Sequence, residues 1–373
     1  MFKQQYDRWP ALLRDFIRTA GRLADREGFA LYLVGGMVRD LWLGVVHVDV
    51  DLVVVGDAPA FAALCARHLG WPILTHRRFG TATLSGPGGL KVDIVTARRE
   101  VYEKPAALPV VIPGSLRDDL FRRDFTINAM AISLNRDSWG ELVDPYGGRA
   151  DLAARRLTVL HSQSFMDDPT RILRAVRFEQ RLGFRMDPQT LSWLREAVAR
   201  RMLGVVHKHR LRDELVLLLK EADPWRAWKR LHDLCGLSYI AGRLRWQASW
   251  RSSFHKIRRR VEGLSRQGTS AVFCKPYLMF LALIFSSLSK ADLRRTMNDF
   301  AFSQEERLCV QAYKNRAPVL RRWLCRGDIP ASRVFRLCRP LSYESILLFD
   351  IIDGNPAAHR HIERFMRDQQ VHR

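Results

Sequence analysis

Apolar side chains recur at helical spacing over residues 9–27, and Gly28 follows as a fitting stop. Residues 30–34 (ALYLV) read as a short buried strand. Gly35-Gly36 come at once, and helical spacing resumes over residues 37–43. Residues 47–55 (HVDVDLVVV) alternate and then become continuously apolar, as a central strand does. A helix is expected over residues 58–69, then strands near 81–84 and 90–95 joined by a Gly/Pro turn at 85–89. The pattern predicts an α/β domain, a small mixed sheet with helices, running to about Pro145. Three prolines make residues 102–116 (YEKPAALPVVIPGSL) a long loop, a feature that is often functional in compact domains. From Asp151 onward the pattern turns helical almost without strands, with no repeat and no low-complexity segment.

At 373 residues the chain has room for two or three domains of roughly 100–200 residues each. A hydrophobic share of 47% argues against disorder, so the chain needs neither disulfides nor a structural metal to fold. The longest apolar run, residues 277–288 (YLMFLALIFSSL), falls well short of the roughly 20 residues that cross a bilayer. The first residues carry charges where a signal peptide needs an apolar stretch, and they read as a first helix packed on the domain. A cytoplasmic protein without membrane association is expected. None of the six cysteines forms a C-x-x-C pair or sits at zinc-finger spacing from a histidine, which leaves free core thiols.

Charge adds a partner. The formal net charge is +22, and +16 of it falls after Pro224, where 28 basic residues face 12 acidic ones. Arginine dominates there, interleaved with Trp225, Trp228, Trp246, Trp250 and Trp323, a combination suited to phosphate forks and base stacking. Helices with solvated basic faces would give the same composition, but a polyanion partner better explains so lopsided an excess.

Three constellations carry candidate chemistry. In the first, Gly35-Gly36-x-x-Arg39-Asp40 lies between a strand and a helix, and Asp49-x-Asp51 follows on the next strand. Side chains at i and i+2 share a strand face, so Asp49 and Asp51 present two carboxylates together, with Val48, Val50 and Leu52 on the buried side. Paired carboxylates suit Mg²⁺, and glycines let the backbone approach a phosphate at a helix start. Separately, a Gly-Gly is usually a turn and a D-x-D a solvated strand edge. Their order makes the pair informative, since two acids in an apolar strand are costly unless paired or metal-bound. Asp93, on the strand over 90–95, is a third catalytic candidate of the kind two-metal chemistry uses, or the partner of a nearby arginine.

The second constellation is Arg122-Arg123-Asp124-Phe125-Thr126-Ile127-Asn128. Two arginines, an acid and an amide can grip a triphosphate and sugar hydroxyls together, although Asp and Thr also start helices. The third is Asp167-Asp168-Pro169-Thr170-Arg171-x-x-Arg174-x-x-Arg177. Asp168 as N-cap and Pro169 in the first turn mark a helix start, and Asp168 should lie close to Arg171 across that turn. The three arginines follow at i+3 spacing. A carboxylate accepts from an exocyclic amine and a guanidinium donates to ring acceptors, so the pair could read a base edge without a template. Capping plus a surface salt bridge explains Asp168 but not the arginine row.

Together LVGGMVRD, DVDLVVV, RRDFTINAM, DPYGGRADL and DDPTRILRAVRF resemble the class II tRNA nucleotidyltransferase and bacterial poly(A) polymerase family, over roughly residues 30–221. Residues 206–214 (VHKHRLRDE) are similar to a further segment of that family. The resemblance implies an α/β nucleotidyltransferase palm as head (residues 1–150), an all-α neck (151–224) and a basic helical body and tail (225–373). The implied reaction attaches CMP or AMP to an RNA 3′ end and releases pyrophosphate. By resemblance, Asp49 and Asp51 are metal carboxylates and Gly35, Gly36 and Arg39 form the phosphate-binding turn. Arg123 is a triphosphate ligand, with Asp124 and Asn128 near the ribose. Asp168 and Arg171 recognise the base, and Arg174 and Arg177 make further nucleotide contacts. The family usually has Glu-Asp where this chain has Asp167-Asp168. The loop over 102–116 aligns with a flexible loop of the head and is similar to that of A-adding members. Expected partners are the tRNA 3′ acceptor end and ATP, CTP or both; the oligomeric state is not legible. A poly(A) polymerase acting on general RNA is the alternative, and a non-catalytic RNA-binding protein with a dead palm is the third reading.

Overall fold

The computed structural model describes residues 2–45, 49–266 and 274–371. It divides into two compact units, residues 1–171 with 182–197, and residues 172–181 with 198–373.

In the first unit, α1 (Phe2–Tyr6) and α2 (Ala11–Glu27) precede the sheet. The helix expected from residue 9 starts at Ala11 because Pro10 is extended, at φ −52° and ψ 142°. Gly28 ends it in the left-handed region, at φ 74°, and its N–H donates to Ala24 O. There follow β1 (Ala30–Val34), α3 (Gly36–Trp42), β2 (Val50–Val55), α4 (Ala58–Leu69), β3 (Ile73–His76), β4 (Thr81–Ser85), β5 (Lys91–Thr96), β6 (Arg98–Val101) and β7 (Val110–Pro113). Next come α5 (Leu116–Phe121), β8 (Ala131–Ser133), β9 (Leu142–Val143), α6 (Gly148–Ala153), β10 (Arg156–Leu157), α7 (Ser164–Asp167), α8 (Thr170–Leu182, of which residues 172–181 belong to the second unit), β11 (Arg185–Met186) and α9 (Pro188–Ala199).

Seven strands form one mixed sheet in the order β3-β4-β5-β2-β1-β8-β9. Only β2 and β5 run parallel, with Asp51 opposite Asp93; the other neighbours are antiparallel. The strand expected from residue 47 begins at Val50, so Asp49 stands just ahead of it, while residues 46–48 lie outside the described residues. Alternation does the rest: Val50, Leu52 and Val54 of β2, Val92 and Ile94 of β5, and Ala82 and Leu84 of β4 are all buried. A second apolar cluster joins Val34, Val53, Ala97, Leu120, Ala129 and Ala131.

The stretch over 102–116 is not all loop. Val110–Pro113 pairs antiparallel with β6. Three β-branched residues between two prolines form a short strand whose residues are all exposed, the setting in which strand proline is tolerated.

The second unit is helical: α10 (Lys208–Leu219), α11 (Pro224–Cys235), α12 (Trp250–Arg266), α13 (Pro276–Phe285), α14 (Lys290–Asp299), α15 (Gln304–Leu324), α16 (Ala331–Cys338), α17 (Tyr343–Asp353) and α18 (Pro356–Val371). The long apolar run forms α13, buried from Leu278 to Phe285, as a helix that is apolar all round should be. No helix among the described residues is long and apolar enough to cross a membrane. Trp225, Trp228 and Trp250 are buried and pack with Trp246 and Phe254, so these tryptophans build core rather than an open stacking surface. Trp323 differs: the guanidinia of Arg326 and Arg333 lie 4.8 and 4.3 Å from its ring centroid.

All six cysteines are free. Burial pushes the thiols of Cys65, Cys235, Cys274 and Cys338 up to about 12 and that of Cys309 to about 11. Burial and the Asp353 carboxylate raise Cys325 to about 11.

One close approach makes a test. A Cβ on Gly148, in α6, would meet Thr126 O at 2.2 Å and Met130 Cγ at 2.9 Å. Gly148→Ala should therefore cost about 1–3 kcal/mol of stability, the usual cost of overpacking, read as a lower Tm. Gly204→Ala, which enters open space, should leave Tm unchanged.

Candidate active site

The chain leaves β1 into Gly35 at φ 71° and ψ −133°, the N-cap of α3. A Cβ there would lie 2.8 Å from Arg123 Nη1 and 4.0 Å from Asp51 Oδ2. The backbone angle requires glycine, and a side chain there would also displace the guanidinium that crosses the turn. Asp49 and Asp51 are both exposed where β2 begins. Asp93, one strand over, accepts from Thr83 Oγ1 at 2.5 Å and from Lys91 Nζ at 3.2 Å. The sheet thus sets Asp93 beside Asp51 as expected, with one oxygen engaged by a hydroxyl and the other by a lysine.

Arg123 owes its position to α5. Ser115 and Asp118 form a capping box that fixes the start of this helix, and hydrogen bonding to Ser115 lowers the Asp118 carboxyl. The next residue, Asp119, is fully buried. It accepts from Arg122 Nη2 at 2.7 Å and Nε at 3.0 Å, and from Arg123 Nη2 at 2.9 Å. Arg122 Nη1 also reaches Glu100 at 3.2 Å, a carboxylate that takes Arg98 Nη2 and the Tyr102 hydroxyl, each at 2.9 Å. Burial and Glu100 raise the Tyr102 hydroxyl. Asp119 escaped the sequence reading. Its signal was an acid three and four residues ahead of two arginines, on a segment opened by Ser-x-x-Asp.

Arg39 turns inward. It is buried, donating from Nη1 to Asn128 Oδ1 and from Nε to Asp40 Oδ1, both at 2.8 Å. Asn128 Nδ2 donates to Asp124 Oδ1 at 2.9 Å, which also accepts from Phe125 N at 2.8 Å. The structure brings Arg39, Asp124 and Asn128 into one buried relay. Gly36 opens α3, where an added Cβ would lie 3.5 Å from Arg39 Nη2.

Within the Asp167–Arg171 segment, Arg171 N donates to the Asp168 carbonyl at 3.0 Å, so the two residues lie close across the first turn. Asp168 Oδ1 caps α8, accepting from Thr170 N at 3.1 Å and Thr170 Oγ1 at 2.6 Å. Arg171 is buried and donates to Ser164 Oγ and to the Arg122 carbonyl, both at 2.7 Å. That last bond ties the third constellation to the second. Arg174 and Arg177, further along α8, pair instead with acids of the helical unit. Arg174 meets Glu214 at 3.1 Å, and Arg177 meets Glu221 at 3.3 Å and Glu214 at 3.6 Å. Acidic partners therefore account for two of the three arginines in the row.

Asp49 and Asp51 are the residues that could hold a metal. Among the described residues no group of three His, Cys, Asp or Glu is placed for one. Two exposed carboxylates beside a glycine turn suit a hard cation that completes its shell with water and phosphate oxygens.

Residues 31–158 match the Poly A polymerase head domain. The A-adding tRNA nucleotidyltransferase of Geobacter sulfurreducens is 44% identical over 230 residues, covering 62% of this chain and 26% of that protein. That of Halalkalibacterium halodurans is 46% identical over 220 residues, 58% and 52% of the two chains. A solved CCA-adding enzyme, in a second apo form, superposes with a TM-score of 0.81 at 32% identity, covering 96% of this chain and 84% of that one. The chain belongs to the tRNA nucleotidyltransferase and poly(A) polymerase family. It spans about a quarter and about half of the length of the two curated relatives. Nucleotidyltransferases of this family use divalent metal ions. The matched head holds every candidate from Gly35 to Asn128, whereas Asp168, Arg171, Arg174 and Arg177 lie beyond it.

His161 gives the first unit a pH signature. Burial, and then the Arg171 charge, push its imidazole down from 6.5 to about 4. The unfolded chain takes up this proton near pH 6.5 and the folded chain only near 4, so the contribution is complete above 6.5 and declines as pH falls through that window. Asp167, 3.9 Å away and raised by burial, acts in the opposite direction near the acid end. Denaturant midpoints should fall less steeply between pH 6.5 and 4.5 for His161→Gln than for the wild type.

Proposed function

We propose that the chain is a template-independent tRNA nucleotidyltransferase that adds CMP, AMP or both to the tRNA 3′ end from CTP and ATP, releasing pyrophosphate. One observation carries the reading: the Asp51 carboxylate and the Arg123 guanidinium flank a turn where only glycine fits, with Asp49 exposed one residue ahead of β2. Asp49 and Asp51 would hold Mg²⁺, which in such sites lowers the pKa of an attacking hydroxyl and offsets charge on a leaving pyrophosphate. Asp93 supports that pair from the neighbouring strand.

The remaining chemistry is positioning and electrostatics. Gly35 and Gly36 open the backbone to phosphate oxygens, and Arg123, braced by Asp119, supplies positive charge to the triphosphate. The Arg39–Asn128–Asp124 relay sets the nucleotide-side wall. Asp168 and Arg171 offer an acceptor and a donor set for a base edge; in the second unit Arg174 and Arg177, held by Glu214 and Glu221, are candidates for further nucleotide contacts. The division is a head (residues 1–150), a neck (151–224) and an RNA-binding body and tail (225–373). The arginines around Trp323 belong to the last part and suit RNA backbone. Such binding depends on shape and phosphate contacts and weakens steeply with salt. The family's substrate and the charge balance fit a cytoplasmic setting.

The test offers the purified chain tRNAs lacking the whole CCA end, carrying one C, or carrying two, with CTP or ATP separately. Discrete additions support the reading, and open-ended ATP incorporation on any RNA would assign a poly(A) polymerase. Asp49→Ala should abolish incorporation while leaving the RNA Kd within about twofold. In Arg171→Ala, CTP/ATP discrimination should shrink by about 5- to 150-fold, the worth of roughly 1–3 kcal/mol from a base-reading pair. Unchanged discrimination would remove Arg171 from that role.

A further inference from the structure

A cleft of about 590 Å³ opens in the head away from the two carboxylates. Its walls include Gly56, Asp57 and Pro59 before and within α4, Arg77–Phe79 between β3 and β4, Thr96 at the end of β5 and Arg98 at the start of β6. Thr96 stands three residues beyond Asp93, about 10 Å along the strand. Side chains at those two positions leave opposite faces of the sheet.

The lining is basic and aromatic. Three arginines, 77, 78 and 98, outnumber one acid, Asp57, whose Oδ1 accepts from Ala60 N at 3.0 Å. Arg98 gives one Nη to Glu100, while its Nε is buried and makes no hydrogen bond. Arg77 and Arg78 are exposed. Between arginines and strand sits Phe79, 60% exposed, with the Arg78 guanidinium 6.0 Å from its ring centroid. The turn is built to present that ring. Gly80 reverses the chain at φ 59°, and a Cβ there would press on Thr96 Oγ1 at 3.1 Å. β3 is the sheet edge, so the cleft borders open solvent.

A large aromatic face beside unneutralised guanidinia is the combination on which a single-stranded nucleotide rests, base on ring and phosphate on arginine. The volume lies within the roughly 300–1,000 Å³ range of small-ligand sites, and so accommodates one nucleotide. We propose that this cleft is a second RNA-contact site, holding one unpaired nucleotide of the RNA strand, with its base on Phe79 and its phosphates on Arg77 and Arg78. The inference rests on the transferase reading to this extent: a nucleotide bound away from the metal-binding pair belongs to the polynucleotide substrate rather than to the incoming triphosphate.

The test uses the full chain and a fluorescently labelled single-stranded 12-mer of uridylate, read by anisotropy, with Arg77→Glu/Arg78→Glu and Phe79→Ala. All three residues are exposed, and Tm reports that the variants remain folded. The double variant should bind the oligonucleotide at least about 10-fold more weakly and flatten the slope of log K against log salt by about 1–2. Phe79→Ala should weaken binding by about 5-fold or more, the worth of one stacked base. KM for ATP and CTP should stay at the wild-type value. Oligonucleotide affinities within twofold of wild type, or weaker ATP binding with oligonucleotide binding intact, would overturn the proposal. Wild-type incorporation with unaffected variants sinks this inference alone. No incorporation, with cleft-dependent oligonucleotide binding, sinks the transferase reading and leaves the RNA site standing.

Discussion

The head is organised around a carboxylate with no access to water. Asp119 is buried beneath α5 and accepts three hydrogen bonds from Arg122 and Arg123. Breaking such a buried pair typically costs about 3–5 kcal/mol, because the remaining charges are stranded. Through Asp119 the direction of Arg123 is fixed, and its guanidinium lies against the turn at Gly35. Through Arg122, whose carbonyl receives Arg171, the same helix sets the base-reading candidate. Arg122 and Arg123, which share Asp119, therefore touch both ends of the candidate nucleotide site, one through its backbone carbonyl and the other through its guanidinium.

The site has a dry half and a wet half. Arg39, Asn128, Asp124 and Asp40 form a buried chain joined by short hydrogen bonds, which hold one another more firmly in a low dielectric than in water. Asp49 and Asp51 stay exposed at the start of β2. A rigid base under an open pair of carboxylates suits chemistry in which charged ligands enter and leave while the geometry stays fixed.

Much of the head was legible because local signals agreed. Residues 30–34 and 58–69 form their expected strand and helix, with Gly28 and Gly70 closing the flanking helices in the left-handed region. β3 was not legible: its four residues, ILTH, are all exposed, so no apolar alternation marks them, and only pairing with β4 makes them a strand. β7 hid between prolines for a similar reason. Among side chains, spacing showed which residues cluster but not which way they face. Arg39 looked available to phosphate, yet Asn128, eighty-nine positions away, draws it inward. Asp168 and Arg171 read as neighbours across one helical turn, and Thr170, Ser164 and the Arg122 carbonyl add bonds that helical periodicity cannot reveal. The tryptophans of α11 and α12 had the composition of a stacking surface and the burial of a core.

The sulfur chemistry of the chain is quiet for a structural reason. With every thiol held at about 11 or 12, almost none is ionised at neutral pH, and the thiolate is the species that maleimides, iodoacetamide and peroxide attack. An engineered surface cysteine would therefore be the one fast-reacting sulfur in the molecule, so a dye or spin label could be attached without first stripping the native six.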